Sequence, residues 1–347
     1  MISRSIQNQH FTGTTESGSI DKRFYVGCHF SDMDWRQASL QGVQFEKCHF
    51  ERVRFHNCSL HEVLWSECDL QHVRWDACML AHSNTVKSRA SHLQFQGGKL
   101  QHTNWTQLQG AHWQFDAVQA SHCTMVEAVV AHMQLRQGQW RDGTWAKCEL
   151  QQHLVEGATL HRLTYAQCQL DEGRWQSCNG NLVRWSSCEM QGAELSACEL
   201  TQAAWSQSQW VNGRMQHCIL PNACLDNCVL RGLQVQDCSM PMAMLDGAQL
   251  VACNLMGLHA AGLSLRGATL QQVDLRQARA DGMDARGARL QDVQLTGARM
   301  RNARLQGQDP NLWAQADTAG SAFEERHGQP DAQWRKKYQP GVRESLP

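Results

Sequence analysis

The sequence predicts an all-β protein in which the backbone forms one long coil that turns after every five residues. A large apolar residue stands at every fifth position from Phe30 to Leu80 and at most of those that follow. A smaller apolar residue stands two places earlier, as at Cys28 and Met33. This register runs to Leu305 through 56 consecutive units without an inserted or deleted residue. A helix repeats every 3.6 residues and a strand every two, so neither keeps a five-residue pattern on one face.

The units of the C-terminal third carry the clearest form of the pattern, as in Ala248-Gln249-Leu250, Cys253-Asn254-Leu255 and Val273-Asp274-Leu275. They resemble the pentapeptide-repeat family, in which a small residue, Asp or Asn, and Leu or Phe are followed by two polar residues. The resemblance covers about four-fifths of the chain. It implies a right-handed quadrilateral β-helix with four units per coil, and therefore about 14 coils.

Three segments are expected along the chain. Residues 1–24 show no repeat, and we expect them to be partly disordered, with residues 20–26 adding a capping strand to the first coil. Residues 25–306 form the pentapeptide-repeat β-helix. Residues 307–347 form a C-terminal cap helix and a polar tail.

The cap helix is predicted from the residues at which the repeat stops. Asp309 is suited to an N-cap and Pro310 to the first turn of a helix over residues 311–327. An open solenoid end exposes core and unpaired backbone, so natural solenoids cover it. Trp313 and Phe323 supply the apolar side of the expected cap.

Cysteine and tryptophan are predicted to fill the core. Fifteen of the sixteen cysteines occupy the small inward position, and Cys224 alone lies elsewhere. Buried thiols react poorly, so we interpret them as small polarizable apolar groups rather than as a redox or metal ladder. Ten tryptophans take the large inward position, and glycine often precedes them, as Gly138 precedes Trp140. The two inward positions therefore trade volume.

Charge and motifs exclude several classes of function. The repeat region from Cys28 to Leu305 holds 25 acidic and 24 basic residues, so no global field favours nucleic acid or an anionic membrane. No apolar run has the length of about 18 residues that a membrane span needs, and no secretory signal is evident. We expect a cytoplasmic protein without a membrane span or direct nucleic-acid binding. Dinucleotide, P-loop and zinc-protease motifs are absent, so neither an enzyme nor a cofactor is expected.

Two surface features are candidates for binding. The first is a set of seven histidines ten residues apart at the turn position: His72, His82, His92, His102, His112, His122 and His132. Every second one is expected to stack, in columns of four and three. Such a ladder suits a metal or a pH-sensitive stripe, although duplication of a ten-residue unit explains the same spacing without a function.

The second feature is basic. Arg266 with Arg286, and Arg279 with Arg299, lie twenty residues apart and are expected to stack, which suits an acidic partner. The tail also mixes aromatic and basic residues, which suits docking or a homodimer contact: Trp334, Arg335, Lys336, Lys337 and Tyr338. A solvated basic face is the alternative interpretation of the arginines.

We therefore expect a non-enzymatic scaffold or adaptor that binds another protein. The family resemblance suggests an accessory protein of a bacterial, type VI-like secretion system. It also offers an alternative, because some family members mimic duplex DNA and protect gyrase. That function requires a strongly acidic surface, which this sequence lacks. A metal-binding or pH-sensing histidine ladder is the second alternative.

Overall fold

Parallel pairing between residues twenty positions apart organises the whole fold. In the computed structural model, Leu60 pairs with Leu40 on one side and with Leu80 on the other. The amides at the turns continue the ladder: that of His72 donates to Ser91 O at 3.0 Å. Four five-residue units therefore complete one coil. The fold is a right-handed quadrilateral β-helix of about 14 coils, as predicted.

The structure describes residues 5–13 and 15–323. By internal contacts the chain divides into unit 1, Met1–Gly180, and unit 2, Asn181–Pro347. Each unit has four faces, which we number 1 to 4 in chain order. Almost every face contributes a three-residue strand or a single bridging residue to each coil.

Unit 1 is regular on all four faces. Face 1 holds the strands Ser5–Gln7, Phe24–Val26, Gln44–Glu46, Leu64–Ser66, Asn84–Val86, Asn104–Thr106, Thr124–Val126, Thr144–Ala146 and Thr164–Ala166. Face 2 holds His10–Thr12, His29–Ser31, His49–Glu51, Asp69–Gln71, Arg89–Ser91, Gln109–Ala111, Val129–Ala131, Glu149–Gln151 and Gln169–Asp171.

Faces 3 and 4 of unit 1 are joined at the start of the chain by two longer strands, Thr15–Asp21 and Asp34–Gln41. Face 3 continues with Arg54–His56, Arg74–Asp76, Gln94–Gln96, Gln114–Asp116, Gln134–Arg136, Leu154–Glu156 and Arg174–Gln176. Face 4 continues with Ser59–His61, Met79–Ala81, Lys99–Gln101, Gln119–Ser121, Gln139–Arg141, Thr159–His161 and Asn179–Asn181.

Unit 2 has fewer strands, because many of its five-residue repeats pair with the next coil through one residue only, as Ser264 does with Asp284. Face 1 holds Arg184–Ser186, and face 4 holds Glu199–Thr201. Face 2 holds Glu189–Gln191, Gln209–Val211, Val229–Arg231, Gln249–Val251, Thr269–Gln271 and Arg289–Gln291. Face 3 holds Glu194–Ser196, Arg214–Gln216 and Gln234–Gln236.

The inward positions predicted from the sequence form the core. Fifteen cysteines are buried and only Cys224 is partly exposed. The sulfhydryls donate weak hydrogen bonds across the coils, as Cys168 Sγ does to Trp145 O at 3.3 Å. Burial raises the pKa of Cys123 to about 11, which fits an inert packing role. All ten tryptophans of the large position are at most 4% exposed.

Volume is exchanged between neighbouring inward positions, as expected. Trp113 occupies a position that is usually small, and its Nε1 donates to Ala90 O at 2.7 Å. The matching large position is Gly110, where an added Cβ would lie 1.7 Å from Ala90 O and 3.0 Å from Trp113 Nε1. The indole therefore fills space that a side chain at residue 110 would otherwise take.

The first coil starts earlier than the sequence pattern suggests. Ile6 pairs with Tyr25 and Phe11 with Phe30, a separation of 19 residues instead of twenty. An irregularity between Glu16 and Gly18 restores the usual register. This one-residue shift hides the repeat in residues 5–13 and 15–24, which form strands and turns. Residues 1–4, part of the segment expected to be disordered, lie outside the described residues.

The C-terminal cap begins with a helix as expected, but that helix is shorter than the span of residues 311–327. Asp309 does cap a helix, accepting a hydrogen bond from the Asn311 amide at 2.9 Å, but this helix is a 3-10 turn, Pro310–Trp313. The chain then returns to the stack, where Asp317 bridges to Arg299. Pairing with the last coil thus competes with helix elongation. Trp313 is buried as expected, and residues 324–347 lie outside the described part.

Aspartate substitutions at two neighbouring positions test which side chains point into the core. Trp145 is 1% exposed and packs on Tyr165 at 4.9 Å between ring centroids, whereas Ala146 points outward. Trp145→Asp leaves a cavity and an unpaired buried carboxylate, so we expect a loss of more than about 4 kcal/mol or failure to fold. Ala146→Asp should cost less than about 1 kcal/mol. Thermal melting followed by circular dichroism measures both, and equal effects would contradict this register.

One core histidine makes stability depend on pH. Burial lowers the pKa of His153 to about 4, and its imidazole contacts Met133 O at 3.3 Å and the Tyr165 hydroxyl at 3.1 Å. In the unfolded chain the pKa is about 6.5. The unfolded state therefore takes up a proton first as the pH falls, so stability is lost between about pH 6.5 and pH 4.

We expect this histidine to account for roughly 3 kcal/mol of lost unfolding free energy between about pH 7 and pH 4. His153→Leu should remove that part of the loss, since Leu163 occupies the same inward position elsewhere in unit 1. Urea unfolding of both proteins at the two pH values makes the comparison. An identical pH dependence would show that His153 does not titrate in this range.

Candidate functional site

The seven predicted histidines lie at two diagonally opposite corners of unit 1. We call His72, His92, His112 and His132 the four-ring ladder, and His82, His102 and His122 the three-ring ladder. Their backbone is left-handed, with φ between +50° and +60°, a conformation in which Asn, Asp and His are the most frequent residues after glycine. The turn therefore accepts histidine and projects its ring outward.

The rings within each ladder are stacked. Centroids in the four-ring ladder are 4.4, 4.9 and 4.8 Å apart, and those in the three-ring ladder are 4.8 and 4.8 Å apart. Interplanar angles range from 5° to 22°. The nitrogen lone pairs of parallel rings point in the same direction and do not converge on one metal ion. In the described residues, no group of three or more His, Cys, Asp or Glu side chains is placed to hold a metal.

The two ladders differ in their charged neighbours. The three-ring ladder ends at Asp142, whose carboxylate lies 3.9 Å from His122 Nε2 and also pairs with Arg162. Its other end meets His61, which lies 3.9 Å from Glu62. No carboxylate of the described residues pairs with the four-ring ladder. Sequence spacing identified both ladders. The difference in their charged neighbours depends on the residues that precede and follow each ladder in its column.

Arginines at the end of unit 2 are partly neutralised within the chain. Arg286 donates two hydrogen bonds to Asp284, and Arg299 pairs with Asp281 at 2.8 Å. Arg266 and Arg279 form no ion pair within residues 5–13 and 15–323. In each expected stack, therefore, one arginine is paired with an aspartate and the other has no ion pair in this part of the chain. The tail residues Trp334, Arg335, Lys336, Lys337 and Tyr338 lie outside the described residues.

A buried carboxylate network on unit 2 was not found from the sequence. Asp284 is 2% exposed and its carboxylate lies against Arg286 and Arg304. Nearby, burial raises the pKa of Asp246, which accepts hydrogen bonds from the Ser264 hydroxyl and, at 3.0 Å, the Arg266 amide. Both aspartates stand at positions that are outward and polar elsewhere, so the five-residue pattern gives no sign of their burial.

Face 1 of unit 1 is uncharged over six coils, from strand Leu64–Ser66 to strand Thr164–Ala166. Its outward residues are Leu64, Ser66, Asn84, Val86, Asn104, Thr106, Thr124, Val126, Thr144, Ala146, Thr164 and Ala166. The other three faces of these coils carry charged outward residues, such as Asp69, Arg74 and Lys99. We call these twelve residues the uncharged face.

Three polar side chains of the uncharged face form a hydrogen-bonded column. Asn104 Nδ2 donates to Asn84 Oδ1 at 2.7 Å, and the Thr124 hydroxyl donates to Asn104 Oδ1 at 2.5 Å. Eleven of the twelve residues are partly exposed, and Thr144 is exposed. Such a surface loses little hydrogen bonding when it is covered.

Comparison with protein families agrees with the repeat. A model described as a pentapeptide repeat region matches residues 28–105, and a model of eight pentapeptide repeats matches residues 188–232 and 270–307. The chain belongs to the pentapeptide-repeat family. A comparison with curated proteins gives no match.

Solved structures of the same repeat class align with the chain. Trypsin-treated QnrB1, a plasmid-mediated fluoroquinolone resistance protein, is 15% identical and the alignment covers 52% of this chain and 90% of QnrB1, with a TM-score of 0.35. HetL, involved in heterocyst differentiation regulation in the cyanobacterium Nostoc sp. strain PCC 7120, is 21% identical. That alignment covers 86% of this chain and 92% of HetL, with a TM-score of 0.20.

None of the helical segments in residues 5–13 and 15–323 has the length and apolarity needed to cross a bilayer.

The buried network yields a matched pair of substitutions. Arg276 binds Asp274 through the same atoms and distances as Arg286 binds Asp284, with Nε to Oδ1 at 2.9 Å and Nη2 to Oδ2 at 2.6 Å. The Asp274 side chain is 18% exposed and that of Asp284 is 2% exposed. Asp284→Ala should cost about 3–5 kcal/mol, and Asp274→Ala at most about 1 kcal/mol. Urea unfolding tests this, and similar losses would show that burial does not set the contribution.

Proposed function

We propose that the protein is a non-enzymatic scaffold that binds another protein through the uncharged face of unit 1. The absence of charge over six coils on one of four faces is the observation that carries the proposal. Six coils span roughly 29 Å at about 4.8 Å per coil. Protein interfaces have central regions depleted of charge and rims that are polar.

The residues that border the uncharged face supply such a rim. One border is the three-ring ladder with Asp142 and Arg162. The other border carries Lys87, Glu127 and Lys147, of which the last two form an ion pair at 3.7 Å. A partner with a flat, mostly uncharged surface and a mixed-charge border is complementary to this arrangement.

The hydrogen-bonded column on the uncharged face favours association further. Side chains already held by one another lose less conformational freedom on binding, which lowers the free-energy cost of association. Strand pairing also holds their backbone in fixed register, as between Asn104 and Thr124. The surface is thus preorganised for a partner without any conformational change.

Candidate partners follow from the family. Our first candidate is a component or effector of a bacterial secretion system, for which the chain would act as an adaptor. Gyrase protection by DNA mimicry is the alternative, and QnrB1 is described as a fluoroquinolone resistance protein. Mimicry needs a strongly acidic surface, whereas 25 acidic residues face 24 basic ones between Cys28 and Leu305. We therefore rank it second.

The proposal predicts that charge on the uncharged face abolishes partner binding. Thr124→Lys with Thr144→Lys should lower the amount of co-purifying partner at least about tenfold, because two ammonium groups would have to be desolvated. Gln114→Lys with Gln134→Lys places the same charges at equivalent strand positions on face 3, and should lower it less than about twofold. Purification from the native cell with mass spectrometry identifies and quantifies the partner.

Melting curves must first show that both double variants fold as the parent does. Equal recovery of a specific partner by the parent and both double variants would show that the uncharged face does not bind it. Secretion components among the partners would support the adaptor function, and gyrase subunits would reverse our ranking. A chain ending at Phe323 separates the face from the tail, since loss of the partner on truncation alone would place docking, or a homodimer contact, in residues 324–347.

A further inference from the structure

A groove runs beside the start of the four-ring ladder, between faces 2 and 3 of unit 1. Its volume is about 690 Å³, and it is lined by three groups of polar side chains. The acidic group is Asp32, Asp34 and Glu51; the basic group is Arg52, Arg54 and Arg74; the neutral group includes His72, His92 and Gln94. With neutral imidazoles, three negative and three positive charges therefore line the groove.

Some of the charged side chains that line the groove form ion pairs and others do not. Arg52 pairs with Asp32 at 2.7 Å and with Glu51, and Asp34 pairs with Arg36 at 2.6 Å. All three acidic groups of the lining are thus engaged by guanidinium groups. Engaged carboxylates accept a further cation poorly, so the ionic capacity left in the groove is for an anion.

One guanidinium group, that of Arg54, supplies that capacity, because Arg74 is already engaged. Arg74 binds Asp76, which does not line the groove, and its Nη2 also reaches Gln96 at 3.0 Å. Arg54, one coil before Arg74 on the same column, has no ion pair within the described residues. Arg54 and Arg74 are paired neighbours on adjacent strands, so two cationic side chains lie one above the other along the groove.

The ladder adds imidazoles that have no carboxylate partner within residues 5–13 and 15–323. In the column that contains the ladder, the residue one coil before His72 is Arg52. The residue one coil after His132 is Gln152, which binds Glu172 at 2.8 Å. The strands on either side carry Gln71, Ser91, Ala111 and Ala131 on face 2 and Arg74, Gln94, Gln114 and Gln134 on face 3. None of these neighbours is a carboxylate. Protonation of the ladder is therefore uncompensated unless an external anion lies along it.

We propose that this groove and the four-ring ladder bind an extended acidic segment of a partner protein when the imidazoles are protonated. The segment places a carboxylate against Arg54 and continues along His92, His112 and His132. The site lies at a different corner from the uncharged face, so either proposal can fail without the other. Nucleic acid fits less well, because it carries a charge on every phosphate and binds through several Lys or Arg contacts, whereas one unengaged guanidinium group of the described residues, that of Arg54, lies in the groove.

Proton linkage fixes the direction of the pH dependence. Partial burial and the neighbouring His72 and His112 lower the pKa of His92, since adjacent imidazolium groups repel. A bound carboxylate removes that repulsion and raises the imidazole pKa. Binding therefore takes up protons, so the affinity rises as the pH falls through the range near 6.5 in which histidine titrates, and it is lost above that range.

The test uses the full chain and a rhodamine-labelled peptide of five Asp-Ser repeats, with five Asn-Ser repeats as the uncharged control. Aspartate remains ionised at about pH 5.5, because its pKa is about 3.9. Fluorescence anisotropy in about 20 mM salt should give at least about tenfold tighter binding at about pH 5.5 than at about pH 7.5. The Asn-Ser peptide should not bind at either pH.

Matched variants locate the effect. His72→Asn with His92→Asn should reduce the pH-dependent ratio to less than about twofold, since asparagine suits the left-handed turn but cannot be protonated. His102→Asn with His122→Asn in the three-ring ladder is the control and should keep the full ratio. Arg54→Gln should weaken binding at both pH values and leave the ratio in place. Melting curves verify that each variant is folded.

Three outcomes would overturn the proposal. The first is a pH ratio that is unchanged in His72→Asn with His92→Asn. The second is an equal loss of that ratio in both pairs of histidine variants, which would indicate a general charge effect. The third is tighter binding of a single-stranded oligonucleotide of about the same charge as the peptide, which would assign the ladder to nucleic acid.

Discussion

Backbone pairing between residues twenty positions apart is the constraint on which the rest of this structure depends. Once Leu60 is fixed on Leu40, each side chain lies directly above the equivalent residue of the previous coil. Inward columns become a continuous core, and outward columns become stripes of one chemical character. Stacked imidazoles, aligned arginines and the uncharged face all arise from the same register. The environment of each residue on this fold is therefore set mainly by the residues one coil before it and one coil after it.

The columns also explain how a nearly neutral chain can present several kinds of surface. Unlike charges often follow one another along a column, as Asp32 precedes Arg52 and Asp142 precedes Arg162. These pairs are exposed and each adds little stability. Their effect is to leave certain stripes without a net field, so that unpaired groups such as Arg54 determine the local potential. The total charge of the sequence therefore says little about any single corner.

Much of this arrangement could be predicted from the sequence. The five-residue period separates inward from outward positions, so the burial of Trp145 and Cys168 followed from spacing alone. Four units per coil, taken from the family resemblance, then placed His72 beneath His92. Prediction stopped where the period changes. At the N-terminus, the 19-residue separation of Phe11 and Phe30 removed the pattern, although backbone hydrogen bonds that need no particular side chain still formed the coil.

The candidate sites were predictable only in part. Spacing identified the ladders and the arginines, but whether a charged group is free depends on side-chain contacts across coils. Arg266 and Arg286 stand in the same column, yet Arg286 follows Asp284 by two residues and bonds to it, whereas Arg266 follows Ser264. The uncharged face was overlooked because its residues are twenty positions apart and individually unremarkable. Asp309 marked the start of the cap correctly, whereas its short length reflects competition from strand pairing.

The shortened final turn of the chain has a consequence for assembly. Asp317 bridges to Arg299 and Ala322 to Arg304, each across 18 residues instead of twenty. A parallel coil is an open template, and any strand edge in phase with it invites another chain to add. The last turn still pairs with the coil beneath it at these residues, but its outward residues leave the twenty-residue columns. A further chain that added to the described end of unit 2 would therefore have to match an 18-residue turn rather than the spacing of the other coils.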